Sequence, residues 1–248
     1  MSSATTSHDD AAQSVSTARR KTARAVNARA GAAGLPVEAF EFYEALALDN
    51  SRAWWQEHRA QYEQGVRAPM AALLADLSEE FGGEGTLYRP YRDTRFSKDK
   101  TPIKDHQGAL IEVEDGVGYY LQVSAQGLMV AGGWYLPRGQ QLLAFRAAVA
   151  DGHAQHVRGL VDRLSRRGWE IDGRLLKTRP RGVPADHPDL DLLRMRALVA
   201  AKKYPVEAWM GTAKLRATVR RDWRALTPLV EWLGDHVGPA EDPSVPPE

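Results

Sequence analysis

Residues 109–135 read ALIEVEDGVGYYLQVSAQGLMVAGGWY, and this stretch decides the fold. Branched and aromatic side chains fill three short segments, and residues typical of tight turns separate them. Apolar alternation within the segments is incomplete, as expected of a sheet that helices cover on one face while a polar pocket touches the other. The predicted antiparallel meander consists of strands 109–114, 119–124 and 128–135, with turns at Asp115-Gly116 and Ala125-Gln126-Gly127.

Helical patterns flank the meander on both sides. Apolar residues recur every three or four positions in residues 37–81 and again in residues 215–237. Further strands are predicted at 88–97 and 198–204, and a short hairpin at 169–177. Helices, then a strand meander, then helices indicate an α+β fold, in which an antiparallel β-sheet (meander) is covered by helices in a single domain.

The folded domain is predicted to span residues 35–238. Residues 1–34 are rich in Ala, Ser and Thr and carry five basic against two acidic side chains, so a disordered basic tail is predicted. Residues 239–248 contain prolines and acids and are predicted to form a second disordered tail.

Composition excludes several classes of protein. The chain has no cysteine, which excludes disulfides, thiolate metal sites and a cysteine nucleophile. No apolar run reaches the ~18 residues of a membrane helix, and no signal-peptide pattern opens the chain. The formal net charge of the chain is +1, and residues 1–34 alone carry three more basic than acidic side chains. The rest of the chain is therefore slightly acidic, so the domain is not a broadly basic nucleic-acid binder. A cytoplasmic protein without a membrane partner is therefore expected.

Residues 91–106 read YRDTRFSKDKTPIKDH and concentrate the charge of the chain. Interpreted as a strand, this stretch places Asp93, Arg95 and Ser97 on one face and directs Phe96 into the core. Arginine offers a fork for carboxylate or phosphate and lysine a compact charge, so the pattern predicts a site for a small anion. The predicted ligand-binding residues are Arg92, Arg95, Ser97, Lys98, Lys100, Lys104 and Tyr120.

Two histidines are predicted to transfer a proton at this site, and one aspartate is predicted to support them. Histidine gains and loses a proton near neutral pH, which suits His106 and His187, and Asp93 is placed to orient an arginine. Alternatively, Asp186 beside His187 caps a helix that Pro188 begins. The predicted catalytic residues are thus His106, His187 and Asp93; the sequence identifies no cofactor and predicts no metal site.

Three functional hypotheses remain open. The first is a cytosolic binding protein or enzyme with a pocket for a small anionic (phosphate or carboxylate) ligand. The second is a non-catalytic protein-interaction domain in which Asp93, Asp99 and Asp105 pair the cations in a structural salt-bridge network. Each exposed ion pair stabilises a protein only slightly, so stability alone does not explain why so many charged residues are gathered here. The third is nucleic-acid contact by the basic tail and the charged loop.

Several segments resemble those of one known family. Residues 91–104 are similar to its hallmark Y-R-D-x-R-F-S-K-D-K-T-P-Y-K, and residues 49–55 resemble its N-N-R-x-W-F segment. Residues 118–121 and 132–137 resemble its G-Y-Y-L and G-G-G-L/M-Y-x-P segments. The chain is identified as a member of the conserved domain of unknown function number 2461 family, over roughly residues 37–237. Ile103 replaces the usual aromatic. The resemblance implies a fold and a site in the charged stretch, and it implies no activity.

Overall fold

The computed structural model describes residues 34–95 and 98–238. The predicted meander is confirmed, and it forms the middle of a sheet in which all neighbouring strands are antiparallel. The strands are β1 (Gly85–Leu87), β2 (His106–Glu114), β3 (Val117–Ser124), β4 (Gly127–Trp134), β5 (Glu170–Asp172) and β6 (Leu198–Tyr204). Their order across the sheet is β1-β2-β3-β4-β6-β5.

Helices precede and follow the meander, so the predicted single-domain α+β fold is confirmed. Two π-helical segments, Tyr62–Arg67 and Val149–His153, join consecutive helices, and a 3₁₀ turn at Ala208–Gly211 precedes the last one. The helices are α1 (Glu38–Leu48), α2 (Arg52–Gln61), α3 (Ala68–Phe81), α4 (Gly139–Ala148), α5 (Ala154–Ser165), α6 (Leu190–Leu193) and α7 (Lys214–Val237). Every helix in the described ranges is too short or too polar to cross a lipid bilayer.

One face of the sheet is covered by helices. Tyr119 of β3 packs between Phe81 of α3 and Trp223 of α7, with ring centroids 4.9 and 5.5 Å away. A Cβ at Gly132 of β4 would lie only 3.0 Å from the side chain of Leu226, so the glycine lets α7 approach the sheet closely. Apolar burial on this scale, about 25 cal/mol per Å², is the main favourable term in the stability of the fold.

A buried amide connects three distant parts of the chain. Gln141 of α4 is fully buried, and its Nε2 donates to the carbonyls of Asp115 (2.7 Å) and Gly238 (3.0 Å). Its Oε1 accepts from the backbone N–H of Arg138 (3.1 Å) and from Nε1 of Trp134 (3.3 Å). All polar atoms of this side chain are therefore paired, as a buried amide requires.

The opposite face of the sheet, here called the groove face, carries the residues that alternate with those packed against the helices. Strand register places Leu110, Tyr120, Ala131 and Ala201 in one row across β2, β3, β4 and β6. The adjacent row across the same strands holds Glu112, Gly118, Gly133 and Val199.

Two predicted strands differ from the structure. The strand at 88–97 is wrong, because β1 ends at Leu87 and Pro90, which follows closely, has no N–H to extend the ladder. The hairpin at 169–177 is also wrong: β5 pairs with β6, and the Gly173 carbonyl accepts from the N–H groups of Arg196 and Ala197 instead. The strand at 198–204 is confirmed as β6. Predictions for Phe96, Ser97, residues 1–33 and residues 239–248 lie outside the described residues.

Candidate functional site

The charged loop, residues 91–104, is fixed at its base. Tyr91 and Ile103 form an antiparallel bridge, and two further backbone hydrogen bonds flank it. Asn50, between α1 and α2, binds the backbone of Ile103 on both sides: its Nδ2 donates to the carbonyl (3.0 Å) and its Oδ1 accepts the N–H (3.1 Å). The helical layer therefore determines where the loop begins and ends.

Arg92 lies at this base within a group of ionised side chains. Its guanidinium contacts the carboxylate of Asp99 and lies 3.7 Å from Oδ1 of Asp105. The same Asp105 oxygen lies 2.7 Å from Nδ1 of His106, so this predicted catalytic histidine is engaged by a neighbouring acid. Two hydrogen bonds from Thr101, through its N–H and its hydroxyl, lower the pKa of Asp99. This part of the loop matches the salt-bridge hypothesis.

At the exposed tip of the loop two of the predicted ligand-binding cations, Arg95 and Lys100, are also occupied. Arg95 donates from Nε and Nη2 to the two carboxylate oxygens of Asp93, at 3.0 and 2.7 Å. This fork lowers the pKa of Asp93 and raises that of Arg95. Lys100 donates to the carbonyl of Thr94 at 2.8 Å, and Lys98 is exposed. Asp93 therefore does orient an arginine, and the pair faces solvent.

Lys104 differs from Lys98 and Lys100 of the loop in being partly buried, whereas those two lysines are exposed. Its Nζ lies 5.4 Å from the centroid of the Tyr88 ring. Among the described residues, no carboxylate comes within 4.0 Å of it. Burial, and then the positive charges of Arg89 and Arg92, lower its pKa. Residues 89–105 carry six cationic and three acidic side chains, so positive charge is in excess around this lysine.

Tyr88, below Lys104, belongs to a groove of about 660 Å³ that runs across the groove face. Small residues form its floor, and tyrosines form one wall. At the far end it reaches β5 and the loop that follows. Its lining includes the floor residues Gly118, Ala131, Gly133, Val199 and Ala201, the wall residues Tyr88, Tyr120 and Tyr135, and the far-end residues Glu170, Asp172, Arg174 and Lys203.

Two of the wall tyrosines depend on a glycine in β2. A Cβ at Gly108 would lie 2.6 Å from the hydroxyl oxygen of Tyr120 and 3.0 Å from Cδ2 of Tyr88. The two rings are 6.2 Å apart between centroids, and the hydroxyl of Tyr120 donates to Oε1 of Gln122 at 2.9 Å. Burial raises the pKa of both phenols, which stay protonated at neutral pH. Tyr120, the one predicted site residue outside the charged stretch and the 186–188 segment, thus lies in the groove.

The third wall tyrosine is held by a carboxylate. The hydroxyl of Tyr135 donates to Oε1 of Glu112 at 2.6 Å, and the N–H of Gly116 donates to the same oxygen at 2.8 Å. Burial and then Glu112 raise the pKa of Tyr135. The phenol therefore remains a hydrogen-bond donor, and the charge of Glu112 is balanced by two donors.

The far end of the groove carries a residue that sequence reasoning missed. Arg174 has a positive φ of 43°, unusual for any residue but glycine, and its N–H donates to Oδ1 of Asp172 at 2.9 Å. Its Nη1 donates to the carbonyl of Tyr135 at 3.3 Å. Lys203 and Glu170 nearby form an ion pair at 2.6 Å. A signal for the groove itself was available in β4, where Ala131 and Gly133 lie two positions apart and leave space above the sheet.

The family model described as "Conserved hypothetical protein (DUF2461)" matches residues 38–232 of the chain. The chain belongs to this family. The match runs from the start of α1 into α7, so the DUF2461 segment contains both the charged loop and the groove face. No curated protein matches the chain. No solved structure matches it either.

The second predicted histidine of this DUF2461 chain has a local role. Nδ1 of His187 accepts the N–H of Asp189 at 3.0 Å, and Arg158 of α5 binds Asp189 (3.2 Å) and Asp191 (2.5 Å). In the described part of the chain, no hydrogen bond, ion pair or ring contact joins His187 to the charged loop. The helix begins at Leu190, so Asp186 is not its cap. The structure therefore does not bring His106 and His187 together in one site.

Side chains able to ligate a metal are dispersed in the DUF2461 domain. Across residues 34–95 and 98–238, no three or more His, Asp or Glu side chains are grouped so that they could hold a metal ion. The arrangement around the groove instead offers phenols, one carboxylate-bound hydroxyl and cations. Such groups bind and orient a ligand through hydrogen bonds and charge.

Proposed function

We propose that this protein binds a small anionic ligand, a phosphate or a carboxylate, at the base of the charged loop, with Lys104 as the principal cation. The observation that carries the proposal is the position of this lysine. Its ammonium lies over the Tyr88 ring beside two arginines, and no described carboxylate lies within 4.0 Å. An anion placed there would balance charge that the protein itself leaves in excess.

The surrounding donors support an anion in particular. Nε of Arg92 is buried and has no hydrogen-bond partner among the described residues, and a buried unpaired donor is costly. A ligand oxygen near Lys104 would accept from its ammonium, and charge-assisted hydrogen bonds of this type are about twice as strong as neutral ones. Arg89, which is exposed, adds a third positive charge nearby.

The other predicted ligand-binding residues have a smaller part in this proposal. Arg95 and Lys100 are occupied by Asp93 and by the Thr94 carbonyl, so they orient the loop rather than the ligand. His106 shares Asp105 with Arg92, which places it close enough to sense a bound anion through that carboxylate. The proposal therefore concerns binding, and it assigns no reaction to the site.

The test compares two lysines in similar surroundings. Lys104 lies 5.4 Å from the Tyr88 ring, and Lys202 of β6 lies 5.5 Å from the Trp169 ring. Wild type, Lys104→Met and Lys202→Met are titrated with inorganic phosphate and with succinate while thermal unfolding is followed. We expect at least one anion to stabilise wild type and Lys202→Met but not Lys104→Met. Equal stabilisation of all three proteins, or of none, would contradict the proposal.

A second candidate is the structural hypothesis, in which the loop is a scaffold of an interaction domain. It is favoured by the group formed by Arg92, Asp99, Asp105 and His106, in which each charge has a partner. On that hypothesis Lys104→Met leaves every anion response unchanged. Nucleic-acid contact by the basic tail remains a prediction, since the tail lies outside the described residues.

A further inference from the structure

The groove is suited to a flat ring. The small residues of its floor project no more than a Cα, a methyl or an isopropyl group above the sheet, Leu110 and Met129 add larger apolar side chains, and three phenol rings stand beside it. Aromatic pairs prefer offset stacked or edge-to-face contacts at centroid distances of ~4.5–7 Å, which rigid tyrosine walls can provide. A volume of about 660 Å³ lies within the usual range for small-molecule sites.

Charges at the far end of the groove are not all balanced. Glu170 is paired with Lys203, and Glu112, near the tyrosine wall, accepts two hydrogen bonds. By contrast, neither the Arg174 guanidinium nor the Asp172 carboxylate has an oppositely charged side chain within 4.0 Å in the described part of the chain. The two residues are joined only through the backbone N–H of Arg174.

This pair of charges selects among ligands. A simple anion at Arg174 would also face Asp172, and a simple cation at Asp172 would also face Arg174. A ligand carrying a carboxylate and an ammonium on one carbon atom would satisfy both residues at once. The positive φ of Arg174, maintained by the hydrogen bond to Asp172, fixes the turn that holds the two side chains at the groove.

We propose that the groove binds a free α-amino acid with an aromatic side chain. The ring lies on the floor around Ala131 and Ala201 against the tyrosine wall, Arg174 binds the carboxylate, and Asp172 binds the ammonium. The proposal is independent of the anion site at Lys104, because it uses different charges at the opposite end of the groove.

Isothermal titration calorimetry with three indole compounds tests the charge assignment. L-Tryptophan has both charges, indole-3-propionate lacks the ammonium and tryptamine lacks the carboxylate. We expect L-tryptophan to bind about tenfold or more tightly than either analogue. Arg174→Gln should remove the advantage over tryptamine, and Asp172→Asn, which keeps the acceptor for the Arg174 N–H, should remove the advantage over indole-3-propionate. Arg166→Gln, at the exposed position that follows α5, is the control and should bind as wild type does.

A blocked groove tests the location. Ala201→Leu fills the floor and should weaken L-tryptophan about tenfold, whereas Ala60→Leu on the exposed side of α2 should not. Circular dichroism establishes whether each variant folds. If Ala201→Leu does not fold, the Arg174 and Asp172 variants decide the outcome. Absence of L-tryptophan binding, or equal binding of the three compounds, overturns the proposal. Phosphate titration of the same proteins reports separately on the Lys104 site.

Discussion

The side-chain amide of Asn50 binds both backbone polar groups of Ile103, at 3.0 and 3.1 Å. The two residues are 53 positions apart and belong to two separate segments that resemble the family hallmarks. This contact explains why an asparagine before α2 matters to a charged loop elsewhere: it supplies a donor and an acceptor in the geometry of a neighbouring strand. The loop base is thereby anchored to the helical layer.

Asn50→Ala should therefore loosen the loop base without unfolding the domain. The substitution leaves the Ile103 N–H and carbonyl without their partners, which costs about 1–3 kcal/mol in the free energy of unfolding. Chemical denaturation measures this loss, and amide hydrogen exchange at Ile103 should accelerate. Gln56→Ala, at an exposed position of the neighbouring helix, is the control. Unchanged exchange at Ile103 would mean that the anchor does not hold the loop.

Two arginines of the charged loop should respond differently to the same change. Arg92 is partly buried and contacts two acids, so Arg92→Met leaves those acids without a partner and should lower the free energy of unfolding by about 1–3 kcal/mol. Arg95 has a side chain that is 77% exposed, so Arg95→Met should leave the melting temperature unchanged. Thermal unfolding of both variants at low salt provides the measurement. A large loss in Arg95→Met would show that the loop tip is a structural element.

Lys104 should leave a signature in the pH dependence of stability. Burial, Arg89 and Arg92 lower the pKa of Lys104 in the folded protein, so protonation of its amine is less favourable there than in the unfolded chain. Such a group contributes stability above its unfolded pKa and loses it as pH falls through the folded value. The stability of wild type relative to Lys104→Met should therefore increase as pH rises from 8 to about 11. Parallel stability curves for the two proteins would contradict this expectation.

The buried phenol of Tyr62 should make the protein less stable at high pH. Burial raises its pKa to about 12, and its hydroxyl donates to the buried Gln107 at 2.5 Å. A raised folded pKa gives stability that is complete below the unfolded value near 10 and is lost as pH rises through 12. Denaturant unfolding between pH 9 and 12 should show a steeper decline for wild type than for Tyr62→Phe. Equal slopes would indicate that other groups control alkaline unfolding.

The meander was predictable because the sequence of each strand and of its turns is by itself typical of that structure. Branched residues and short turns mark β2 to β4, and the strand at 198–204 carries the same signal. The strand at 88–97 failed because tertiary contacts at Asn50 and a missing N–H at Pro90 limit pairing to one bridge. Local propensity alone does not contain such long-range contacts.

The candidate site was only partly accessible from sequence. The density of charged residues in the sequence indicated Arg95 as a ligand-binding residue. Whether a cation is paired with an acid depends on where the side chains lie in the folded protein, and the spacing of residues along the sequence does not determine that. The groove was missed because Gly118, Ala131 and Ala201 lie on three strands, and only their register brings them together. Arg174 reaches the groove from the loop after β5, and no sequence motif predicted the backbone conformation of that loop.

The Gln141 amide has a practical consequence for anyone preparing a shortened version of the chain. The family match ends at residue 232, yet Gln141 reaches the carbonyl of Gly238, and Leu233 and Val237 are buried beyond that boundary. At the other end, buried Leu35 donates its N–H to Met210 at 2.7 Å, ahead of the first matched residue. A protein trimmed to residues 38–232 would lose the hydrogen bonds of Gly238 and Leu35, and it would expose apolar surface that the removed residues cover.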